Sequence, residues 1–361
     1  MSDVINLLPV SEETDADFGD GTSTTQTNEM DVDSILALAS MKDFPEVEIY
    51  IATLILTTLL RQELNEAAAE FSSTVIERIK GFNRRSLDLL SSKVFFYFSV
   101  AFERANKLEY IRSTLLALYR TACLRRDEMG QAVLLNLLLR NYLHYNLVEQ
   151  AHALAAKTPF PETISNNQYC RYLYYMGRIH AIQLEYSDSY VRLMQAIRKA
   201  PQDTAKGFAH EVQKLTIIVQ LLMGEIPERA LFNQQHLRKV LAPYLALTQA
   251  VRAGDLQQFN SEVATHSATF KADKNYTLVR RLGHNVLKTG LRKISISYSR
   301  ISLADVATKL HLTSLTAAEY ICAKAIRDGN SSRPALVCIM FNLLSFSFFL
   351  LLRCHRGDHR S

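Results

Sequence analysis

Glycine and proline are scarce in this chain. Twelve glycines and eight prolines among 361 residues leave turns far apart, and the Leu-, Ala-, Glu-, Arg- and Gln-rich stretches between them favour long helices. An all-α protein is expected. Cysteine is also sparse: the five, at positions 123, 170, 322, 338 and 354, lack a pairing spacing and mostly fall within apolar helical patterns. That excludes a disulfide framework and points to buried, reduced thiols, hence to cytoplasm or nucleus. No basic residue precedes Lys42, so the amino terminus lacks the charged start and long apolar run of a secretory signal.

Catalytic signatures are equally absent. There is no phosphate-cradling glycine loop, no GxSxG elbow, no HExxH, no CxxC pair, and no glutamate with an HxH pair and a distant aspartate. Histidines at 144, 152, 180, 210, 236, 266, 284 and 311 are dispersed singly along helical segments, where packed or solvated roles are the ordinary ones. Cys354, His355 and His359 are the tightest ligand-bearing cluster, in a short basic stretch without an evident fourth ligand. No enzyme, cofactor or metal centre is expected.

Charge is unevenly placed. Asp3 through Asp33 hold nine acids and no base, so the chain's net +5 becomes +14 once they are set aside. A basic body suits nucleic acid or an acidic protein partner. Residues 1–32, rich in Ser and Thr as well as acid, bury too little apolar surface to offset ordering entropy and are read as a disordered tail.

From residue 33 to 201 helical patterns alternate with short polar breaks at Gly81 and Asn83, Asn106-Lys107, Arg125 to Glu128, Tyr145-Asn146, KTPFPE, and Tyr186 to Asp188. In YCRYLYYMGRIHAIQLEYSDSYVRLMQAIRKAP, Gly177, Ser189, Leu193, Ala196 and Pro201 fall near the positions of a 34-residue tetratricopeptide (TPR) unit, and small residues there let paired helices approach closely. A weaker copy precedes it, carried by Leu139, Tyr142, Ala151 and Leu154. Such hairpins stack into a solenoid because no single repeat buries its own apolar face.

The stretch 202–329 divides again. Residues 202–293 continue the helices through a turn at Gly224 and another at Gly254 and Asp255, where glycine suits a left-handed stop and the carboxylate caps the next helix. Leu256, Phe259 and Val263 then face the core, and a helix is expected over 277–291. Ile294, Ile296 and Tyr298 alternate as in a short strand or extended entry. Residues 294–329 close on two short helices. Ser302 caps the first, with Asp305 at the capping-box position, and Leu303, Val306, Ala307 and Leu310 make its apolar face. Thr313 or Thr316 caps the second, whose stripe is Leu315, Ala318, Ile321, Cys322, Ala325 and Ile326, with Gly329 as the stop.

A helix-turn-helix of this kind reads nucleic acid or packs in an assembly. Lys271, Lys274, Arg280, Arg281, Lys288, Arg292, Lys293 and Arg300 cluster before it and make nucleic-acid binding the alternative function. The outward positions of the second helix, Thr316, Ala317, Glu319, Tyr320 and Lys324, carry one acid and one base, which favours assembly over groove reading.

The runs AVRAGDLQQF, ISLADVATKLHL and AAEYICAKAIRDG, following helical hairpins, resemble the PCI-domain family. That module builds the scaffolds of the proteasome lid, the COP9 signalosome and a translation-initiation complex. NRRSLDLLSSKVFFYFSVAFE, YLYYMGRIHAIQLEYSDSYVRLMQAIRKAPQ and GFAHEVQKLTIIVQLLMGEIPER are similar to its proteasome-lid members over roughly 32–329. The resemblance implies a TPR-like solenoid leading into a PCI domain, and a non-catalytic subunit of a hetero-oligomer whose partners are other lid subunits. It also implies that Gly254 and Asp255 form the family's inter-hairpin turn. Ile301, Leu303, Val306, Leu310, Leu315, Ile321 and Ile326 become the structural core of a winged-helix end.

After Gly329 the chain departs from the family, which continues with two wing strands and a long helix. Residues 330–361 instead carry an apolar run from Ala335 to Leu352, flanked by Arg333 and Arg353. Its length just suffices for a membrane span. The reading preferred here is an alternative or truncated end to a soluble assembly subunit, leaving the winged-helix end incomplete and ALVCIMFNLL as partial cover for it.

Overall fold

The computed structural model describes residues 44–201, 205–298, 301–312 and 314–327. The expected acidic tail, the Gly329 stop and the whole of 330–361 lie outside them. Regular structure among the described residues is wholly helical, with seventeen α-helices and one short 3-10 turn. No helix among them is long and apolar enough to cross a membrane. The chain forms two compact units that meet in sequence at Ala209 and His210.

The first unit contains α1 (Pro45–Arg61), α2 (Asn65–Gly81), α3 (Asp88–Arg104), α4 (Arg112–Arg125), α5 (Glu128–His144), α6 (Val148–Lys157), α7 (Asn166–Ile182) and α8 (Tyr186–Lys199). Sequential partners pair as α1 with α2, α4 with α5 and α7 with α8, while α1 also meets α3, α3 meets α5, and α5 meets α7. This is the packing of stacked helical hairpins. Helix α5 is enclosed by α3, α4, α6 and α7, which is why Leu134, Leu135, Leu138 and Leu139 are fully buried and even its Asn136, Arg140 and Asn141 are shut in.

Left-handed residues between these helices explain the low glycine content. Glu63, Asn106, Arg126, Asn146 and Leu184 all take positive φ at helix ends, so side-chain-bearing residues do what glycine commonly does. Glycine is used where helices must touch. A Cβ at Gly177 would stand 2.7 Å from Leu193 Cγ, and Ser189 Oγ donates to the Gly177 carbonyl at 2.6 Å. The tetratricopeptide-like spacing read from sequence thus corresponds to close α7–α8 packing.

The division falls inside α9 (Lys206–Met223). The second unit continues with two short helices, α10 (Arg229–Asn233) and α11 (Gln235–Arg238), then α12 (Ala242–Ala253), α13 (Leu256–Thr265), α14 (Ser267–Ala272), α15 (Tyr276–Ser297), α16 (Leu303–Lys309) and α17 (Leu315–Arg327). Helix α15 is its spine, packed against α12, α13, α14 and α17. A buried polar knot ties its start down. Lys214 Nζ donates to Asp273 at 2.8 Å and Glu211 at 2.7 Å, and fully buried Tyr244 donates to the second Asp273 oxygen at 2.7 Å.

Several expectations change. Ile294, Ile296 and Tyr298 form no strand: α15 runs on to Ser297, and the apparent alternation is a helix end whose Ile296 is exposed. The break placed at Tyr186 to Asp188 lies a few residues earlier, around Leu184, because Tyr186 already opens α8. Cys170 and Cys322 are buried as expected, but Cys123 is exposed on α4.

Candidate protein-assembly site

The helix pair near the end of the second unit is built outward from a glycine turn. Helix α12 stops at Gly254, whose φ of +72° is left-handed and whose N–H reaches the carbonyls of Ala250 and Val251. Asp255 then accepts hydrogen bonds from the backbone N–H groups of Gln257 at 2.8 Å and Gln258 at 3.3 Å, capping α13. Gly254 lies directly against Gly290 in the middle of α15. A Cβ at Gly290 would meet the Gly254 carbonyl oxygen at 2.8 Å and Leu310 Cδ2 at 2.7 Å. Lys293 Nζ closes the same end of α12 by donating to the Ala253 carbonyl at 2.9 Å.

Leu310 carries this contact into the helix pair. Ser302 caps α16, its Oγ accepting from the Asp305 N–H at 3.1 Å while donating to the Asp305 carboxylate at 2.7 Å. Leu291, Val306, Leu310, Cys322 and Ala325 form the buried core, with Ile294, Ile301, Leu303, Leu312 and Ile321 packed around it half-buried. His311, at φ +52°, makes the turn between the helices. Ser314, rather than Thr313 or Thr316, caps α17 by accepting from the Ala317 N–H at 3.2 Å. Burial pushes the Cys322 thiol up to about 11.

Of the residues expected in this core, Val306 and Leu310 are buried, and Ile301, Leu303 and Ile321 flank them half-buried. Leu315 departs from expectation, at 52% exposed. It is the first residue of α17, and the buried stripe begins a turn later at Ala318. The Ile326 side chain lies outside the described set. The outward face holds exposed Thr316, Glu319 and Tyr320, with Tyr320 at 69%, while Ala317 and Lys324 are half-buried. Gly290 and Lys293 were missed as positioning residues. A lone glycine inside a helical pattern was the available signal for the first.

Among the described residues no three of His, Cys, Asp and Glu gather to hold a metal ion, and Cys354, His355 and His359 lie outside them. The basic run before the helix pair is partly engaged in the fold: Lys293 bonds to Ala253, and the Lys271 ammonium lies 5.5 Å from the Tyr276 ring centre.

Stacked hairpins followed by this glycine-seated helix pair define a TPR-like helical-repeat protein with a PCI domain after the repeats. A family model described as PSMD3-like, N-terminal TPR repeats, matches residues 2–248, and the PCI domain model matches 263–330. The chain is 53% identical over 285 residues to the 26S proteasome non-ATPase regulatory subunit 3 of Dictyostelium discoideum, covering 79% of this chain and 56% of that one. It is 49% identical over 328 residues to homolog B of that subunit from Arabidopsis thaliana, covering 90% and 65%. A probable 26S proteasome regulatory subunit rpn3 from Schizosaccharomyces pombe is 51% identical over 287 residues, covering 79% and 58%. The chain belongs to the 26S proteasome non-ATPase regulatory subunit 3 family. It spans 56% to 65% of the length of these relatives.

Proposed function

We propose that this chain is a non-catalytic scaffold subunit of the 26S proteasome regulatory particle lid, supporting ubiquitin-dependent protein degradation by joining other PCI subunits in a hetero-oligomer. The observation that carries this reading is the joint presence, in one chain, of the PSMD3-like repeats and the PCI domain, with about half the residues identical to subunits of that name. The relatives are named non-ATPase regulatory subunits, in keeping with a site built of packing residues. Cytoplasm and nucleus are the corresponding compartments.

In this reading residues 33–201 form the outward-reaching array and 202–329 the PCI domain. Gly254 and Asp255 fix the turn, and the α16–α17 pair is the core of the winged-helix part. Exposed Leu315 and Tyr320 supply apolar and aromatic contact area of the kind protein interfaces favour. Residues 330–361 stand in the sequence where the family places its wing and final helix.

Affinity purification of the tagged full chain from cells, at native expression level, tests this. Lid subunits identified by mass spectrometry in stoichiometric amounts are the expected result, and Tyr320→Glu is expected to lower their recovery. Recovery of the chain only as free protein overturns the reading.

A further inference from the structure

Arg171, in the first turns of α7, has no hydrogen-bond or ion-pair partner among the described residues. Its guanidinium carbon lies 5.6 Å from the centre of the Phe96 ring. Its Nε is shut off from solvent and unbonded. Burial, with the Arg140 charge adding to it, draws the Arg171 pKa below the usual arginine value, and Tyr175 opposes the shift. Arginine nevertheless stays charged in proteins. The side chain is half-buried, with only its Nε shut off from solvent and no acidic partner, which leaves the guanidinium able to donate a charge-assisted hydrogen bond to an anion entering beside it.

Those surroundings form a cleft of about 180 Å³ between α3, α5 and the start of α7, open to the surface. No acidic residue lines it. Three features make it positive. Arg171 is one. The second is the α7 amino terminus: Ser165 makes no side-chain cap, and the helix ladder begins only with Tyr169 N–H to Ser165, so the first-turn N–H groups at Asn167 and Gln168 have no helical acceptor. The third is Lys93, exposed on α3 at the rim. Met129 and Val133 supply an apolar wall beside Phe96. The volume is below the range of about 300–1,000 Å³ usual for small-molecule sites, and suits one or two side chains of a peptide.

We propose that this cleft is a carboxylate-binding site and that its occupant is the chain's own acidic amino-terminal segment, residues 1–33. Charge complementarity selects it, since residues 3–33 carry nine acids and no base. Within it Asp17 and Asp20 flank Phe18, pairing carboxylates for Arg171 and Lys93 with an aromatic ring for the apolar wall. Residues 34–43 join the segment to α1 and extend up to about 35 Å, and this covalent linkage makes docking intramolecular, at high effective concentration.

The test uses the full chain and a zero-length carbodiimide, which joins a carboxylate to an amine in contact. Mass spectrometry is expected to find Lys93 coupled to an acid within 3–33, and Arg171→Gln is expected to cut that yield about tenfold, the loss of one charge-assisted hydrogen-bond pair. Failure of Lys93 to couple to that segment, or an undiminished yield in Arg171→Gln, overturns the proposal. A second measurement stands apart from the folding of the Arg171 variant. A fluorescent peptide of residues 1–33 is titrated into the full chain whose nine acids are changed to Asn or Gln. Binding that weakens about threefold or more on the rim substitution Lys93→Gln, and weakens further with salt, supports the site. Peptide binding indifferent to both, or absent, overturns it.

Discussion

Gly254 and Gly290 meet backbone to backbone, so closely that a Cβ added to Gly254 would lie 2.8 Å from the Gly290 nitrogen and 2.9 Å from its Cα. The turn after α12 is thereby pressed into the middle of α15, and Leu310 from the end of α16 crowds the same point of Gly290. Three sequence-distant segments of the second unit are held in register by the absence of two side chains.

Alanine at position 290 forces that contact apart. Because one obstacle is backbone, which yields less readily than a flexible side chain, Gly290→Ala is expected to destabilise the second unit by about 1–3 kcal/mol. Gly254→Ala meets the same backbone and adds the strain of a left-handed residue with a Cβ. Urea unfolding followed by circular dichroism checks both, and unchanged midpoints would refute the close approach.

Asp255→Ala removes the cap on α13 and is expected to cost about 1 kcal/mol, whereas Asp255→Asn keeps an acceptor oxygen and most of the stability. The same urea titration separates the two variants. Equal losses would show that charge, rather than the hydrogen bonds to Gln257 and Gln258, is what matters there.

Thiol chemistry distinguishes the cysteines. Burial raises Cys170 and Cys322 to about 11 each, so iodoacetamide at neutral pH should label exposed Cys123 and spare those two in the folded chain. The linkage has a definite sign. Groups whose folded pKa is raised contribute stability that is complete below their unfolded value near 9 and is lost as pH climbs through about 11. Unfolding midpoints measured across that alkaline window should fall, and Cys322→Ser should change the slope.

Lys214 behaves similarly for a different reason. Desolvation lowers its pKa, but hydrogen bonds and charge from Asp273 and Glu211 outweigh it and hold the ammonium above the usual lysine value. Its contribution is therefore complete below about pH 10 and lost above that. Asp273→Ala removes one of the ammonium's two carboxylate partners and the acceptor of the Tyr244 hydroxyl together, while Glu211 stays in place, and is expected to cost about 2–3 kcal/mol. Thermal unfolding of the variant measures this, and a loss under about 1 kcal/mol would place the network in solvent.

Legibility followed the range of the interactions. Ser302 with Asp305, and Gly254 with Asp255, were readable because a cap is made by residues within three or four positions of one another. Gly177, Ser189 and Leu193 were readable because the repeat carries its spacing in the chain. The cap at Ser314 was displaced onto its threonine neighbours, since any hydroxyl there satisfies the pattern. The short strand or extended entry expected over Ile294 to Tyr298 is helix as far as Ser297, with only Tyr298 extended, because three alternating apolar residues fit a helix end as well as an extended segment.

The sequence alone determined the helical class, the hairpin spacing, the left-handed stop at Gly254 and the apolar stripes of α16 and α17, because each depends on local conformational preference and helical period. Only the tertiary structure decided that Gly290 seats the Gly254 turn, that Leu315 faces outward while Ala318 and Cys322 face in, and that Arg171 lines an acid-free cleft. Those outcomes depend on which side chains from distant segments occupy the same space, and neither propensity nor period carries that information.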